Sequence, residues 1–316
     1  MPFETQNVRW PVAELANTVL VVGSLHYDIV VEAEHLPRKD ETAVGSRWFP
    51  KFGGKGGNQA VAAAAHGRSA RMVGAIGDDD FGAFLRARLQ ASGVDHRYVA
   101  TVPATSTGMS VAIVDASGDY AATIVSGSNL LIAPEGLKDT GVWQNVGLLV
   151  LQNEVPEAVN IAAAQEARAR GIRTLLNAAP SRPMSAEFTR LIDILVVNTV
   201  EAEMMGSQPI TTLPDAADAA RLLADRFEAV VVTAGSLGLA AWSDDDEHFT
   251  VAAEKITVVS SHGAGDAFIG ALAAGIVQKL PFRAACQAAS TAAAAHVAGR
   301  PAARTDIQGG GMINSA

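Results

Sequence analysis

The 316-residue chain has a single cysteine, Cys286, so no intrachain disulfide can form, and a reducing, cytoplasmic setting is the expectation. Cys286 stands in an alanine-rich segment and reads as a small core residue rather than a nucleophile. Basic residues are also scarce: 24 Lys and Arg face 33 Asp and Glu, a net charge of −9. Nucleic acids and anionic membranes want a basic face, so neither is an expected partner. An anionic ligand would have to be held locally, by a device such as backbone N–H groups. No apolar run reaches the ~18 residues of a membrane span; the longest, 267–277, is short and rich in Gly and Ala. Residues 1–17 carry Glu4, Arg9 and Glu14 without the order of a signal peptide, and read as a patternless leader. Two nucleotide fingerprints are missing as well. There is no Gly-x-x-x-x-Gly-Lys-Ser/Thr loop and no Gly-x-Gly-x-x-Gly after a strand, which disfavours a Walker-type or dinucleotide-binding site.

What is present is an ordinary globular balance, 49% hydrophobic and 18% charged. Val19–Val22 is an apolar run ended by Gly23, the mark of a buried parallel strand. Short strands are expected at 29–31 and within 42–52, a helix over 60–66, a strand over 72–77 and a helix over 80–92. Segments 107–115 and 120–125 flank Ser117-Gly118-Asp119, a hairpin signal. From 147 onward strand and helix alternate: strands at 147–151, 173–176, 194–197 and 230–233, helices at 156–170, 200–205 and 214–226. Two late strands, 239–242 and 248–251, flank an acidic turn, and helices over 265–278 and 282–298 follow. Such alternation predicts an α/β fold, a mostly parallel central sheet with helices on both faces. The strands near 27–52 and 107–125 lack intervening helices and predict a separate small sheet. Residues 306–316, with three consecutive glycines, read as a flexible tail.

Two segments carry chemistry. Gly263-Ala264-Gly265-Asp266 stands directly before a helix. Small residues there let backbone N–H groups and the helix dipole approach an anion. A carboxylate beside that anion has a use if it takes the proton of an attacking hydroxyl; the plain alternative is a first-turn dipole partner. Gly53-Gly54-Lys55-Gly56-Gly57-Asn58 also precedes a helix, with Asn58 as the expected N-cap. Three polar pieces follow predicted strands, where open parallel sheets bind ligands. They are Asn153-Glu154, Asn198-Thr199-Val200-Glu201 and Thr233-Ala234-Gly235-Ser236.

Together, from about Val19 to about Arg300, these pieces resemble the ribokinase family of carbohydrate kinases. Ser106-Thr107-Gly108 and Asn177-Ala178-Ala179-Pro180 add to the likeness. The resemblance implies a ribokinase-like kinase domain over 18–305 with a discontinuous β lid, and ATP-dependent phosphorylation of a hydroxymethyl group on a small sugar, ribose to ribose 5-phosphate first. It implies that Asp266 is the general base and that the N–H groups of Gly263, Ala264 and Gly265 form an anion hole. His26, Asp28, Gly54, Lys55, Asn58 and Glu154 would hold the sugar. Asn198, Thr233, Gly235 and Ser290 would line the nucleotide site, and Glu201 would organise Mg²⁺ through water. It also implies a homodimer made through the lid. Alternatives are a nucleoside or pseudouridine kinase of the same fold, with Tyr27, Trp48 or Phe49 as an apolar wall, or a non-catalytic sugar-binding regulator.

Three departures from the family stand out. His26 replaces a sugar-contacting Asn; either ribose is disfavoured or the imidazole makes the same hydrogen bond. Ser260 replaces an Asp that helps bind an activating monovalent cation, and Pro301 stands where a Gly is expected, so weak or absent K⁺ activation is predicted. His262, before the anion hole, reads as a structural substitute. His66, His96 and His296 show no metal-ligand spacing, which predicts no zinc site.

Overall fold

The computed structural model describes residues 16–300 apart from Gly118, Asp245 and Asp246. Most of the predicted leader and all of the predicted tail lie outside the described residues.

The chain opens with β1 (Thr18–Val22), β2 (His26–Ala33), β3 (Gly45–Gly53), α1 (Lys55–Ala65), β4 (Ser69–Gly77), α2 (Asp80–Ala91) and β5 (Asp95–Val102). β6 (Met109–Val114) and β7 (Tyr120–Val125) come next, then β8 (Val146–Gln152), α3 (Glu157–Ala169), β9 (Arg173–Asn177) and α4 (Ala186–Thr189). β10 (Ile194–Asn198), α5 (Thr199–Met204), α6 (Leu213–Ala224), β11 (Ala229–Thr233), β12 (Gly238–Ser243) and β13 (Glu247–Ala252) continue the alternation. α7 (Ala264–Val277) and α8 (Phe282–Val297) close it.

Nine strands form the main sheet, in the order β13-β12-β11-β10-β9-β8-β1-β4-β5. Pairing is parallel except for the hairpin-linked β11-β12-β13 edge. The chain winds outward from β1 in both directions, so strand order reverses beside β1, the place where such sheets open a crevice at their carboxyl ends. Side-chain alternation on β1 feeds two cores. Leu20 and Val22 pack with α3 and α6 on one face. Val19 and Val21 pack with α1, α7 and α8 on the other. From Phe268 to Val277 every residue of α7 is buried. A helix apolar all round has to lie inside, and α7 lies between α1 and α8 over the sheet. The contact with α1 is close enough that a Cβ on Gly270 would meet the Ala62 Cβ at 2.3 Å and the Ala63 nitrogen at 2.6 Å.

The small sheet runs β3-β2-β6-β7 and is mixed, with β2 and β6 parallel. Its β6-β7 hairpin is closed by the Asp115 N–H donating to the Asp119 carbonyl (2.9 Å). Tyr27 stacks on Phe81 with ring centroids 3.9 Å apart, tying this sheet to α2.

Two local expectations need correction. Asn58 does not cap a helix: α1 begins at Lys55, its N-cap is Gly54 at φ 85°, and Asn58 lies a full turn inside. The Lys55 N–H is satisfied instead by Glu154 from a distant strand end (2.9 Å), a tertiary cap that local sequence does not display. β5 was not foreseen. It is an edge strand whose Asp95, His96 and Arg97 carry little apolar pattern, and Val99 is its buried residue.

Candidate active site

The parallel register sets the site out in a row. Gln152 pairs with Asn177 across β8-β9, and Asn198 with Thr233 across β10-β11. These residues end neighbouring strands, which lie about 4.8 Å apart in any sheet, so polar side chains of distant sequence line one edge.

Asp266 is in the first turn of α7, at an N-terminus whose cap, Gly263, adopts φ 79°. It is 8% exposed and lines a cleft of about 280 Å³ with Lys51, Phe52, Asn58, His262 and Gly263. Both carboxylate oxygens accept from α1. Asn58 Nδ2 donates to Oδ2 (3.2 Å) and Gln59 Nε2 to Oδ1 (3.0 Å). Gln59 is itself held on both sides, donating to Asn177 Oδ1 (3.1 Å) and accepting from Gln152 Nε2 (2.9 Å). Burial pushes the Asp266 pKa above the usual carboxylate value, while Lys55 and the two amides pull it back. Each oxygen keeps a lone pair beyond these bonds, so the group can still accept a proton.

The turn before Asp266 is pinned to α8. His296 Nε2 donates to the His262 carbonyl (2.9 Å), and the Val259 and Ser260 N–H groups donate to the Val297 carbonyl (2.9 and 3.2 Å). Of the amides expected to form an anion hole, that of Ala264 donates to the Ser261 carbonyl (3.3 Å), because Gly263 closes a tight turn there. This leaves the Gly265 and Asp266 amides as helix-start donors with no carbonyl of their own helix to reach.

Glu154 accepts from the Lys55 N–H and the Ser24 hydroxyl, and lies 4.0 Å from His26 Nδ1. Asp28, on β2, accepts from Ser110 Oγ (2.5 Å), and burial raises its pKa. Lys55 acts electrostatically on both Asp266 and Glu201. Asn198 and Glu201 form a capping box at the start of α5: the Asn198 N–H donates to Glu201 Oε2 (2.9 Å) and the Glu201 N–H to Asn198 Oδ1 (2.8 Å). The Asn-x-x-Glu spacing already signals that motif. Burial raises the Glu201 pKa. Thr233 ends β11 with its hydroxyl on the Val197 carbonyl (3.3 Å). Gly235 turns at φ 55° in open space, and Ser290 is half-buried on α8.

The structure thus joins Lys55, Asn58, Glu154, His26 and Asp266 in one cluster and sets Asn198, Glu201 and Thr233 further along the same edge. No hydrogen bond links Gly235 or Ser290 to that cluster among the described residues. Sequence reading missed Gln59, Gln152, Ser24 and Ser110. Gln59 had a signal: with Lys55 and Asn58 it is a polar residue of a helix otherwise built of Gly, Ala and Val. Among the described residues no group of three His, Cys, Asp or Glu could hold a metal alone.

Comparison with known proteins agrees with this architecture. The model of the pfkB family carbohydrate kinases matches residues 16–307. A deoxyribokinase of Salmonella typhi is 33% identical over 285 residues, covering 89% of this chain and 93% of that protein. A ribokinase of Mus musculus is 34% identical over 266 residues, 82% of each. The structure of Arabidopsis thaliana ribokinase complexed with ribose and ATP superimposes with a TM-score of 0.82 at 29% identity, over 89% of this chain and 93% of that one. With a buried carboxylate at a helix start, a glycine-rich turn facing it and a family match along nearly all its length, the chain belongs to the pfkB family of carbohydrate kinases.

Proposed function

We propose that the chain transfers the γ-phosphoryl group of ATP to the hydroxymethyl group of a small sugar, with ribose to ribose 5-phosphate as the leading reaction. One observation carries this reading: a buried carboxylate, Asp266, fixed by Asn58 and Gln59, opens onto a cleft at a helix N-terminus. The acceptor lies against Asp28, His26, Gly54, Lys55, Asn58 and Glu154. Asp266 takes the proton of its hydroxyl as the oxygen attacks phosphorus. The helix-start amides beside it and the dipole of α7 stabilise charge on the transferring group. ATP extends along the edge past Asn198, Thr233 and Gly235 toward Ser290.

The donor set fits Mg²⁺ held chiefly by phosphate and water. Glu201 offers one carboxylate with a single oxygen committed to its helix cap, and Mg²⁺ keeps several waters and needs few protein ligands. Bound there, the ion would offset phosphate charge. A monovalent cation is not part of the proposal. Ser260 presents a hydroxyl, which accepts from the His262 N–H (3.3 Å), and a hydroxyl attracts a cation far less than a carboxylate does. Titration with KCl is expected to change kcat less than twofold; saturable, ion-specific stimulation would contradict this.

The small sheet serves as a lid that excludes water, which would otherwise compete as acceptor. Its Trp48, 64% exposed, and its exposed Ile124 and Val125 support a homodimer formed through the lid. ADP release with and without ribose tests the central reading. Sugar-dependent ADP formation is expected, and Asp266→Asn should lower kcat about 10²-fold or more, the loss typical of a general base. Near-normal turnover in that variant would end the assignment, and sugar binding without ADP formation would favour a non-catalytic regulator.

A further inference from the structure

The segment between β13 and α7 has no regular structure, yet it ends in the turn that presents the helix-start amides. Burial does not hold it. Its Val258 and Val259 are 65% and 71% exposed, so apolar packing contributes little to its position. Hydrogen bonds to α8 take that part. Near its start the Thr291 hydroxyl donates to Glu254 Oε1 (2.6 Å). Further along, the Val297 carbonyl accepts from the Val259 and Ser260 N–H groups. At its end His296 Nε2 donates to the His262 carbonyl (2.9 Å), and this last strap is the one that reaches the anion hole.

The reach follows from peptide geometry. The 262–263 peptide is trans, and in a planar trans unit the carbonyl and the following N–H point in opposite directions. A His262 carbonyl turned to α8 therefore turns the Gly263 N–H away from it. That N–H donates to no carbonyl among the described residues, whereas the next amide, of Ala264, is spent on the Ser261 carbonyl. The imidazole also fixes the turn by contact: a Cβ on Gly263 would meet His296 Nε2 at 3.0 Å. Together with φ 79° this leaves glycine as the residue that fits. His296, Gly263 and Asp266 line the same cleft. The plainer role for His296 is a basic group in the last turn of α8, favoured by the helix dipole. That role calls for no bond to another element, and here the ring's donor is committed to the turn before α7.

We propose that His296 is a positioning residue for phosphoryl transfer. Its imidazole holds the 262–263 peptide so that the Gly263 N–H joins the Gly265 and Asp266 amides as a donor to the transferring group. The ring itself touches neither ATP nor acceptor. The inference rests on the kinase reading above. A preaimed amide acts on charge that redistributes as the phosphoryl group moves, so losing its aim costs more in the transition state than in the ground state. The effect therefore falls on kcat.

The experiment compares the native enzyme with His296→Leu, which keeps bulk without a donor, and His296→Gln, which keeps a side-chain N–H donor. ADP formation from ribose and MgATP is measured beside affinity for ADP with aluminium fluoride, a mimic of the transferring group, and the melting temperature. His296→Leu should lower kcat about tenfold or more and keep both KM values within about twofold of native. It should bind the mimic complex more weakly by a similar factor while binding ADP alone as the native enzyme does. His296→Gln should recover most of both losses. The position is exposed, where substitutions change stability little; should His296→Leu not fold, His296→Ala carries the same comparison. A native kcat without the donor, or a loss that His296→Gln does not restore, overturns the inference and leaves the kinase reading standing. A raised KM at native kcat overturns it in favour of direct ligand contact. A lowered melting temperature at native kcat overturns it in favour of the dipole role. No ribose turnover by the native enzyme would remove the kinase reading, and this inference with it.

Discussion

Asp266 is a costly residue to keep. Burial penalises the charged form of this carboxylate and raises its pKa, and the nearby Lys55 and the Gln59 and Asn58 amides offset part of that penalty. Because its folded pKa is raised, the folded chain binds more protons than the unfolded one between the ordinary and raised values. Stability therefore falls as pH rises through that window and stays lower above it. Asp266→Asn removes this burden and keeps the Gln59 contact, with the Asn58 amide turned over. At pH 8 the variant should melt at or above the native temperature while nearly inactive, as calorimetry beside a kinase assay would reveal. Lys55 is the strongest influence holding the Asp266 pKa down. Lys55→Ala should raise the acceptor KM and also move the acidic limb of the kcat/KM profile to higher pH, since the base then keeps its proton longer. A limb that stays in place would separate Lys55 from the base. At this scale Asp266, Lys55 and Glu154 stand out in the sequence through the motifs that carry the family resemblance, and the fold brings them close together. The Gln59 bridge does not, because its partners Gln152 and Asn177 are 93 and 118 residues away.

Elements hold the geometry through close approaches. α1 and α7 meet at Gly270, where a methyl group would collide with backbone atoms that cannot rotate aside. Gly270→Ala gains about 1 kcal/mol of helix propensity and loses about 1–3 kcal/mol to overpacking. The collision should win, with lower chemical-denaturation stability and a reduced kcat as Asp266 shifts from Asn58 and Gln59. Unchanged stability would show that the two helices have slack. Helix and strand positions from 147 onward follow the sequence periods closely, because buried parallel strands are plain apolar runs. The start of α1 does not. A tetrad of glycines supplies no cap, and the acceptor for its first N–H comes from the end of β8, whose spatial neighbourhood only strand order decides.

For the whole molecule, the small sheet is the surface on which assembly is expected. Its exposed Trp48 and Ile124 lead to the expectation that the native protein is a dimer by light scattering and that Trp48→Glu is a monomer with a raised acceptor KM. A native monomer would retire the dimer proposal. The α/β alternation, the two glycine-rich turns and the placing of an aspartate at a helix start follow from local rules of period, capping and backbone freedom, and these act over a few residues. Which strands lie side by side does not follow from such rules. Strand order brought Gln152, Asn177, Asn198 and Thr233 to one edge, clasped a carboxylate of α7 with amides of α1, and set His26, Asn153 and Arg182 around one cleft. Contacts between residues so far apart along the chain exist only after the core has chosen its packing, so they belong to the tertiary structure.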